Sequence, residues 1–539
     1  MTPVARHRID ADVAIVGSGF AGSILALVLR RHGLRVALLD RGRHPRFAIG
    51  ESSTPLANLL LEQLADRHEL PRLRPFAKWG TWQAAYPHVA CGIKRGFSFF
   101  RHERGATFTD PARERQLLVA ASPHDAIADT HWYRPDFDQW LVREAEAAGV
   151  EYRDVVVLDT PRLDPAGVVL EGTRDGARLE VHAGFLVDAS GPRGYLWRAL
   201  DLGDAPLQWL PPTQGLYTHF EGVRRWDSLV PSPGTPPYPV DDAAVHHVLD
   251  DAWIWVLRFG NGITSAGLAA TDGAAQAYRL ADGQRAWDRV LADHPSVQAQ
   301  FREATPVHPF INAPRVAHRV RTIAGARFAL LPSAAGVIDP LLSTGFPLTL
   351  LGVGRIADIL LGTAAGPERD RALEGYAADT TAELDATEQL VAALYATMDD
   401  FPLFTRLAAL YFAAASFSEA VRRLGHAHRA NGFLLHADPV FGPALRECTA
   451  MARALPRGAR RAEARRRLLD AIGAAIEPFD VAGLNDASRR NWFPVLAGDL
   501  VAARDRVGAS ASEIEALLAR CGFDDHASAA AGSPSEEHA

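Results

Sequence analysis

Residues 12–22 read DVAIVGSGFAG and are the most informative part of the sequence for the fold. A short apolar run ends there at a glycine-rich turn, and the helical pattern SILALVLRRHG follows over residues 23–33. A second apolar run, RVALL over residues 35–39, closes at Asp40. A strand, a glycine turn, a helix, a second strand and a terminal acid within about 30 residues predict a βαβ unit that binds a dinucleotide.

Each glycine of the turn has a physical role in that interpretation. Gly17 permits the tight turn, Gly19 lets the backbone approach a pyrophosphate, and Gly22 lets the helix lie close to the strand. The helix N-terminus presents free N–H groups and the positive end of its dipole to the phosphates. The predicted cofactor-binding residues of this unit are Gly17, Gly19, Phe20, Ala21, Gly22, Asp40 and Arg41. The alternative, a glycine-rich turn in another kind of α/β protein, stays open at this point.

The bulk composition is that of a folded protein with more than one structural unit. The chain has 539 residues, of which 48% are hydrophobic and 22% charged, and it is too long for one compact core. Its net charge of −7 lacks the basic footprint of a nucleic-acid-binding protein. Three cysteines without metal-like spacing predict no disulfide framework and no metal site, and they fit a cytoplasmic location. We expect no signal peptide in residues 1–10 and no membrane span.

The order of patterns along the chain predicts an α/β fold with interleaved parts. Residues 1–365 predict a Rossmann-type dinucleotide-binding domain, interleaved with a mixed β-sheet substrate domain formed by about 65–130 and 205–320. Residues 366–525 are rich in Ala, Leu, Arg and Glu and predict a helical C-terminal region. Residues 526–539 lack large apolar side chains and predict a disordered tail.

Two later segments indicate which dinucleotide binds. Residues 185–191 read FLVDASG, and residues 335–340 read AGVIDP before a Ser-Thr-Gly turn. They resemble the second and third FAD-contact segments of the flavoprotein monooxygenase superfamily. The resemblance implies FAD as the cofactor and adds Asp188 and Asp339 to the predicted cofactor-binding residues.

Four motifs together resemble a narrower family, the flavin-dependent, tryptophan-halogenase-like halogenases, over roughly residues 10–400. They are the segment GESSTP at Gly50–Pro55, the pair Ile93-Lys94 before a strand, the motif Trp253-Ile254-Trp255, and the segment DPLLSTG at Asp339–Gly345. Two departures stand beside these matches. The family's Ile-Pro after the tryptophans is Leu257-Arg258 here, and the glutamate that enzymes acting on free tryptophan carry in the last segment is Leu342. The second departure disfavours free tryptophan as the substrate.

The resemblance implies an FADH2-dependent enzyme that uses O2 and chloride or bromide to halogenate an electron-rich aromatic. Ser343, Thr344 and Gly345 would bind the halide through backbone amides at the start of a helix; the plain alternative is a helix cap. Lys94 would carry the oxidised halogen to the substrate, as a cation or as an amine that forms a haloamine. By spacing alone Lys94 is an exposed strand lysine, and Lys78 is its rival.

Glu51 and the tryptophan pair have two possible interpretations each, and Arg134 is a further candidate. Glu51 would hold water or substrate or orient Lys94, or it is a helix N-terminal acid stabilised by the dipole. Trp253 and Trp255 lie on one face of a strand, and they line the tunnel between flavin and lysine or are plain core aromatics. Arg134, in a segment resembling the superfamily's Arg-x-x-Phe-Asp helix entry, is a candidate flavin neighbour.

A single glycine fingerprint leaves no evident NAD(P)H site, so we expect a separate flavin reductase as partner. The substrate is expected to be a small aromatic (a phenol, a pyrrole or an indole), free or bound to a carrier protein. The basic run 453–467 is either a solvated helix face or a dock for an acidic carrier. Two other functions stay open from the sequence: an FAD-dependent aromatic monooxygenase, and a silent FAD-binding scaffold.

Overall fold

The computed structural model describes residues 6–456 and 461–523, and the predicted disordered tail 526–539 lies outside them. The strands in chain order are β1 (Arg6–Asp10), β2 (Val13–Val16), β3 (Val36–Leu39), β4 (Cys91–Lys94), β5 (Gly96–Arg101), β6 (Gln116–Ala120), β7 (Asp129–Trp132), β8 (Glu151–Arg153), β9 (Val156–Leu158), β10 (Arg162–Asp164), β11 (Gly167–Arg174), β12 (Ala177–Ala183), β13 (Phe185–Asp188), β14 (Thr213–Glu221), β15 (Ala244–Val248), β16 (Ala252–Arg258), β17 (Thr264–Thr271), β18 (Thr305–Pro306), β19 (Ile311–Ala313), β20 (His318–Arg319), β21 (Ala324–Gly325), β22 (Phe328–Leu330), β23 (Gly336–Val337) and β24 (Trp492–Phe493).

The α-helices in chain order are α1 (Phe20–Arg31), α2 (Pro55–Arg67), α3 (Trp79–Ala85), α4 (Arg134–Ala147), α5 (Tyr195–Ala199), α6 (Asp272–Tyr278), α7 (Gln284–Ala292), α8 (Pro295–Phe301), α9 (Pro332–Ala335), α10 (Gly345–Gly362), α11 (Pro367–Tyr395), α12 (Phe401–Arg423), α13 (Phe441–Arg453), α14 (Arg461–Ile476), α15 (Ala497–Ala502), α16 (Arg504–Val507) and α17 (Ala511–Arg520).

The dinucleotide-binding sheet has six strands in the order β21-β22-β13-β2-β3-β8. All its neighbouring pairs are parallel except β21 with β22. The four residues of β2 and the four of β3 are all buried, because helices or other sheets cover both faces of a parallel sheet. The predicted βαβ unit is therefore present as β2, α1 and β3.

The second large sheet has nine strands in the order β18-β14-β17-β16-β15-β5-β6-β24, with β19 paired to β14. Its strands alternate along the chain with those of the first sheet, and β24 arrives from the C-terminal region to pair with β6. The α/β fold class is confirmed, whereas the limits of the predicted domains stay a prediction. The sequence patterns missed β24, because a two-residue strand has no periodicity to detect.

One further strand pairing and the packing of three helices position the residues around the cofactor-binding sheet. The two-stranded sheet of β4 and β7 is antiparallel and places Lys94 opposite Asp129. Helices α10, α11 and α12 pack into the same hydrophobic core as the dinucleotide-binding sheet. Helices α10 and α12 are long and apolar enough to cross a membrane by composition, but 61% and 78% of their apolar windows are buried within the fold. Burial of this kind is what core helices show.

A packing constraint at the first turn leads to a testable prediction. A Cβ added to Gly22 would lie 2.0 Å from the carbonyl oxygen of Gly17 and 3.1 Å from Cβ of Ala189. We expect Gly22→Ala to destabilise the protein by about 1–3 kcal/mol, seen as a lower midpoint of thermal unfolding. Gly375→Ala is the matched control, because that helical glycine has open space around its Cβ position and alanine is the better helix former. Equal midpoints for the two variants would contradict the account.

Candidate active site

A cavity of about 1020 Å³ runs from the N-terminus of α1 to the N-terminus of α10 and the inner face of β16. Its volume lies at the upper end of the range for ligand sites, about 300–1,000 Å³. Most residues predicted from the sequence line it: Gly17, Gly19, Phe20, Ala21, Asp40, Arg41, Glu51, Trp253, Trp255, Asp339, Ser343, Thr344 and Gly345. Gly22, Lys94 and Asp188 do not line it.

The first turn of α1 forms one end of the cavity. Gly19 is the N-cap residue, no side chain of the described residues caps the helix, and the first turn contains no acidic residue. The N–H groups at this end are therefore available to an anion. Gly17 has φ +107°, a conformation that favours glycine, and a Cβ there would lie 2.4 Å from the carbonyl oxygen of Ala189. The cradle fits the diphosphate of FAD.

Asp40 fixes the end of β3 beside that turn. Its carboxylate accepts hydrogen bonds from the backbone N–H of Ser18 at 2.7 Å and from that of Gly42 at 2.7 Å, and Arg46 pairs with it at 2.9 Å. The acid is buried but lines the cavity. It therefore holds the two strand ends together at the place where the sequence predicted a cofactor contact.

Asp188 does not line the cavity but supports the loop that forms part of its wall. Its carboxylate accepts from the backbone N–H of Ser190 at 2.9 Å and of Leu196 at 2.7 Å, and the side chain is fully buried. The residues after it, from Ala189 to Tyr195, line the cavity. The structure thus gives Asp188 the role of shaping a loop.

Arg134 lines the cavity at the start of α4 and ties three segments together. It makes a two-point pair with Asp138, with N···O distances of 2.8 and 2.7 Å. It also donates to the carbonyl oxygen of Gly50 at 2.9 Å and lies 4.9 Å over the ring of Phe20. Arg134 thereby fastens the segment before Glu51 to the cofactor end of the cavity.

Glu51 does not sit at a helix N-terminus. Helix α2 begins at Pro55, and the cap is Thr54, whose hydroxyl accepts from the backbone N–H of Ala57. The carboxylate of Glu51 pairs with Nε2 of His219 at 2.7 Å, and both side chains are fully buried. Its second oxygen has no hydrogen-bond partner among the described residues. No sequence motif pointed to His219, which comes from β14, 168 residues further along the chain.

Lys94 is the last residue of β4, and 0% of it is exposed, so the exposed-lysine reading does not hold. Its Nζ donates to the hydroxyl of Ser52 at 2.9 Å and to the carbonyl oxygen of Ser53 at 2.5 Å. The Nζ also lies 3.8 Å from the ring centroid of Phe97. Ser52 lines the cavity, so this one residue separates the lysine from the cofactor space.

Burial sets the protonation behaviour of Lys94. Removal from water lowers the pKa of this lysine below its ordinary value, and the negative charge of Asp129 opposes that change. The rival Lys78 is the N-cap residue of α3 and donates to the backbone carbonyl of Cys521 at 3.1 Å. Of the two, Lys94 is the one next to the cavity.

The far wall of the cavity is aromatic. Trp253 donates to the hydroxyl of Tyr395 at 3.1 Å, and this hydroxyl donates to Asp339 at 2.9 Å. Burial raises the pKa of Asp339 to about 7. Trp255 donates to Ser265 at 3.3 Å. Both tryptophans are buried and line the cavity, and their indole N–H groups are held by hydrogen bonds.

The N-terminus of α10 closes the cavity beside Asp339. Thr344 is the N-cap residue, but its side chain makes no capping hydrogen bond, and no acid lies in the first turn. Ser343 has φ +53°, the left-handed region that few residues other than glycine occupy. The segment is therefore not a plain side-chain cap. It is a helix N-terminus that leaves amide groups for an anion.

Comparison with known proteins agrees with this geometry. The family model for FAD dependent oxidoreductases matches residues 12–366. The chain is 31% identical to the tetracycline 7-halogenase of Kitasatospora aureofaciens over 75% of this chain and 73% of that protein. It is 30% identical to the monodechloroaminopyrrolnitrin halogenase PrnC of Pseudomonas fluorescens, over 73% and 69% respectively. The crystal structure of halogenase PltM with phloroglucinol and FAD matches with a TM-score of 0.78 at 25% identity, over 89% of this chain and 99% of that one.

The matches and the cavity together identify the cofactor and the class of reaction. The glycine cradle at α1 fits FAD, and the named relatives are halogenases, which supports halogenation over the hydroxylase and scaffold alternatives. The predicted FAD cofactor and enzyme class are confirmed. The chain belongs to the FAD dependent oxidoreductase family and, within it, to the flavin-dependent halogenases.

Proposed function

We propose that Lys94 is the catalytic residue that carries the oxidised halogen to the aromatic substrate. The observation that carries this proposal is a fully buried lysine whose Nζ is held by Ser52, a residue of the cofactor cavity wall. When FAD is bound and reduced, it supplies, with O2, the oxidising power that converts a halide to hypohalous acid. The neutral amine of Lys94 then exchanges one N–H hydrogen for halogen and releases water. The substrate carbon takes the halogen and returns a proton.

We assign halide binding to Ser343, Thr344 and Gly345. The uncapped amides at the start of α10 supply N–H donors and the positive end of the helix dipole. Asp339 lies in the same turn and is bonded to Tyr395 and to the backbone of Leu341. With a raised pKa, this acid is readily protonated, which limits the negative charge close to an anion.

We infer an electron-rich aromatic as substrate, either a phenol or a pyrrole or indole, free or carried by a protein. The named relatives support this range: one is a tetracycline halogenase, and another is a chlorinase of 1H-pyrrole-2-carbonyl-[peptidyl-carrier protein]. Leu342 in place of a glutamate argues against free tryptophan. A substrate screen with FAD, a flavin reductase and bromide, scored by isotope pattern in the mass spectrum, separates these candidates. A product heavier by oxygen alone would count against halogenation.

Substitution of Lys94 tests the catalytic assignment. We expect Lys94→Ala to lower the rate of halogenation by at least about 100-fold, because no neighbouring amine replaces Nζ. Lys94→Arg is expected to fail as well, since guanidinium stays protonated and cannot form a haloamine. FAD binding and oxygen consumption by the reduced flavin stay near their wild-type values, because Lys94 does not line the cofactor cavity.

Lys78→Ala is the control for those variants and keeps its activity, since Nζ of Lys78 donates to the backbone carbonyl of Cys521 and not to a residue of the cavity wall. Halogenation by Lys94→Ala at near the wild-type rate and with the same position selectivity would refute the assignment.

A separate flavin reductase is the partner we propose, in the cytoplasm, where the three cysteines stay free. The chain carries a single glycine fingerprint, at Gly17–Gly22. The purified protein with FAD and NAD(P)H alone is therefore expected to turn over negligibly, and added reductase restores halogenation. Rapid NAD(P)H oxidation by the protein alone, followed as loss of absorbance, is the result that would contradict this proposal.

A further inference from the structure

The buried carboxylate of Asp129 lies across the β4–β7 ladder from Lys94. The two residues are direct partners in the antiparallel register, and both side chains are buried. Side chains of such partners share a face of the sheet, with Cβ atoms about 4.5–5.5 Å apart. The hydrogen bonds from Nζ go to Ser52 and Ser53, so the carboxylate acts on the lysine through space.

Asp129 is itself held in place by one side chain. The amide of Asn58, on α2, donates to Oδ1 of the carboxylate at 2.8 Å. The other oxygen, Oδ2, has no hydrogen-bond partner among the described residues. An isolated buried carboxylate is costly, and the cost falls when an opposite charge is close. Lys94 supplies that charge, since burial raises the pKa of Asp129 while the lysine lowers it.

The two imidazoles that face Lys94 carry no charge that acts on the lysine in place of Asp129. His131 is on β7 and His246 on β15, and burial lowers the pKa of each to about 3, so both rings are neutral near pH 7. Among the described residues, Asp129 is therefore the carboxylate whose charge raises the pKa of Lys94.

On the far side of Asp129, α12 contributes three titratable groups. Glu419 and Arg423 form an ion pair at 2.8 Å, and Arg423 also pairs with Glu62 at 3.0 Å. Their opposite charges act on Asp129 in opposite directions. Burial raises the pKa of Tyr411 above its ordinary value, so this phenol stays neutral. These groups leave Lys94 and Asp129 as a matched pair of buried charges.

We propose that Asp129, fixed by Asn58, is a positioning residue for Lys94, and that its charge holds the lysine in place and sets the balance between ammonium and amine. This inference rests on the proposed role of Lys94 in halogen transfer. Burial favours the amine and the carboxylate favours the ammonium, so both forms stay accessible near neutral pH. Without the carboxylate, burial alone acts on the pKa of Lys94. The ammonium group then loses its proton at a lower pH than in the wild-type protein.

The sequence offers an unusually direct test, because the chain contains two lysines, Lys78 and Lys94. Lysine labelled with ¹³C at Cε gives two side-chain NMR signals, and Lys78→Arg assigns them. We expect Asp129→Asn to move the titration of the Lys94 signal to lower pH by at least about one pH unit, with the Lys78 signal unchanged. Asp125→Asn is the matched control: it makes the same charge change on an exposed aspartate that pairs with Arg95.

The rate of halogenation is the second readout. The limb of the pH–rate profile governed by Lys94 is expected to move to lower pH in Asp129→Asn, and Asp129→Glu, which keeps the charge, returns it toward its wild-type position. If Asp129→Asn does not fold, Asn58→Ala takes its place, because it removes the hydrogen bond that holds the carboxylate. We expect it to move the Lys94 titration and the pH–rate profile to lower pH, by less than Asp129→Asn would. An unchanged Lys94 titration in a folded Asp129→Asn overturns the proposal, and so does a shifted titration with an unchanged pH–rate profile. Activity of Lys94→Ala is a separate result that overturns only the role of the lysine itself.

Discussion

Burial of one lysine beside a cofactor cavity is the constraint on which the rest of the site depends. An ammonium ion inside a protein loses its hydration, and the fold must return hydrogen bonds and an opposite charge. Here Ser52 and Ser53 supply the hydrogen bonds and Asp129 supplies the charge. The loop that carries the two serines is itself fastened to the cofactor end of the cavity by Arg134. The position of the lysine and the shape of the FAD site are therefore set by one connected group of residues.

The division of labour in the site follows from where each group lies. Among the described residues, the helix N-termini of α1 and α10 have no side-chain cap, and both face the cavity. The first fits the diphosphate of FAD, and the second is the halide site that we propose. Lys94 lies outside the cavity behind Ser52. Ser52, which lines the cavity and accepts a hydrogen bond from Nζ, lies between the lysine and the space that fits FAD.

Most of what could be predicted from the sequence came from residues that lie close together in the chain. The glycine turn, the acid at Asp40 and the two tryptophans of β16 were predicted from residues close in the chain, and the structure places Gly17, Gly19, Asp40, Trp253 and Trp255 in the cavity wall. The pairs Glu51–His219 and Lys94–Asp129 depend on the register of strands far apart in sequence, which no periodicity encodes. For the same reason, the sequence left Lys94 as a candidate exposed residue, because burial of a strand end is decided by what packs over it.

Peptide mass spectrometry of the enzyme after turnover without substrate can show whether halogen passes through Nζ of Lys94. With reduced FAD, O2 and chloride present, we expect a Lys94 peptide in which one hydrogen is replaced by chlorine, with the chlorine isotope pattern. A thiol reductant reverses the modification, and adding the aromatic substrate discharges it into product. Steady formation of halogenated product by an enzyme whose Lys94 peptide never carries chlorine would show that the halogen does not pass through Nζ.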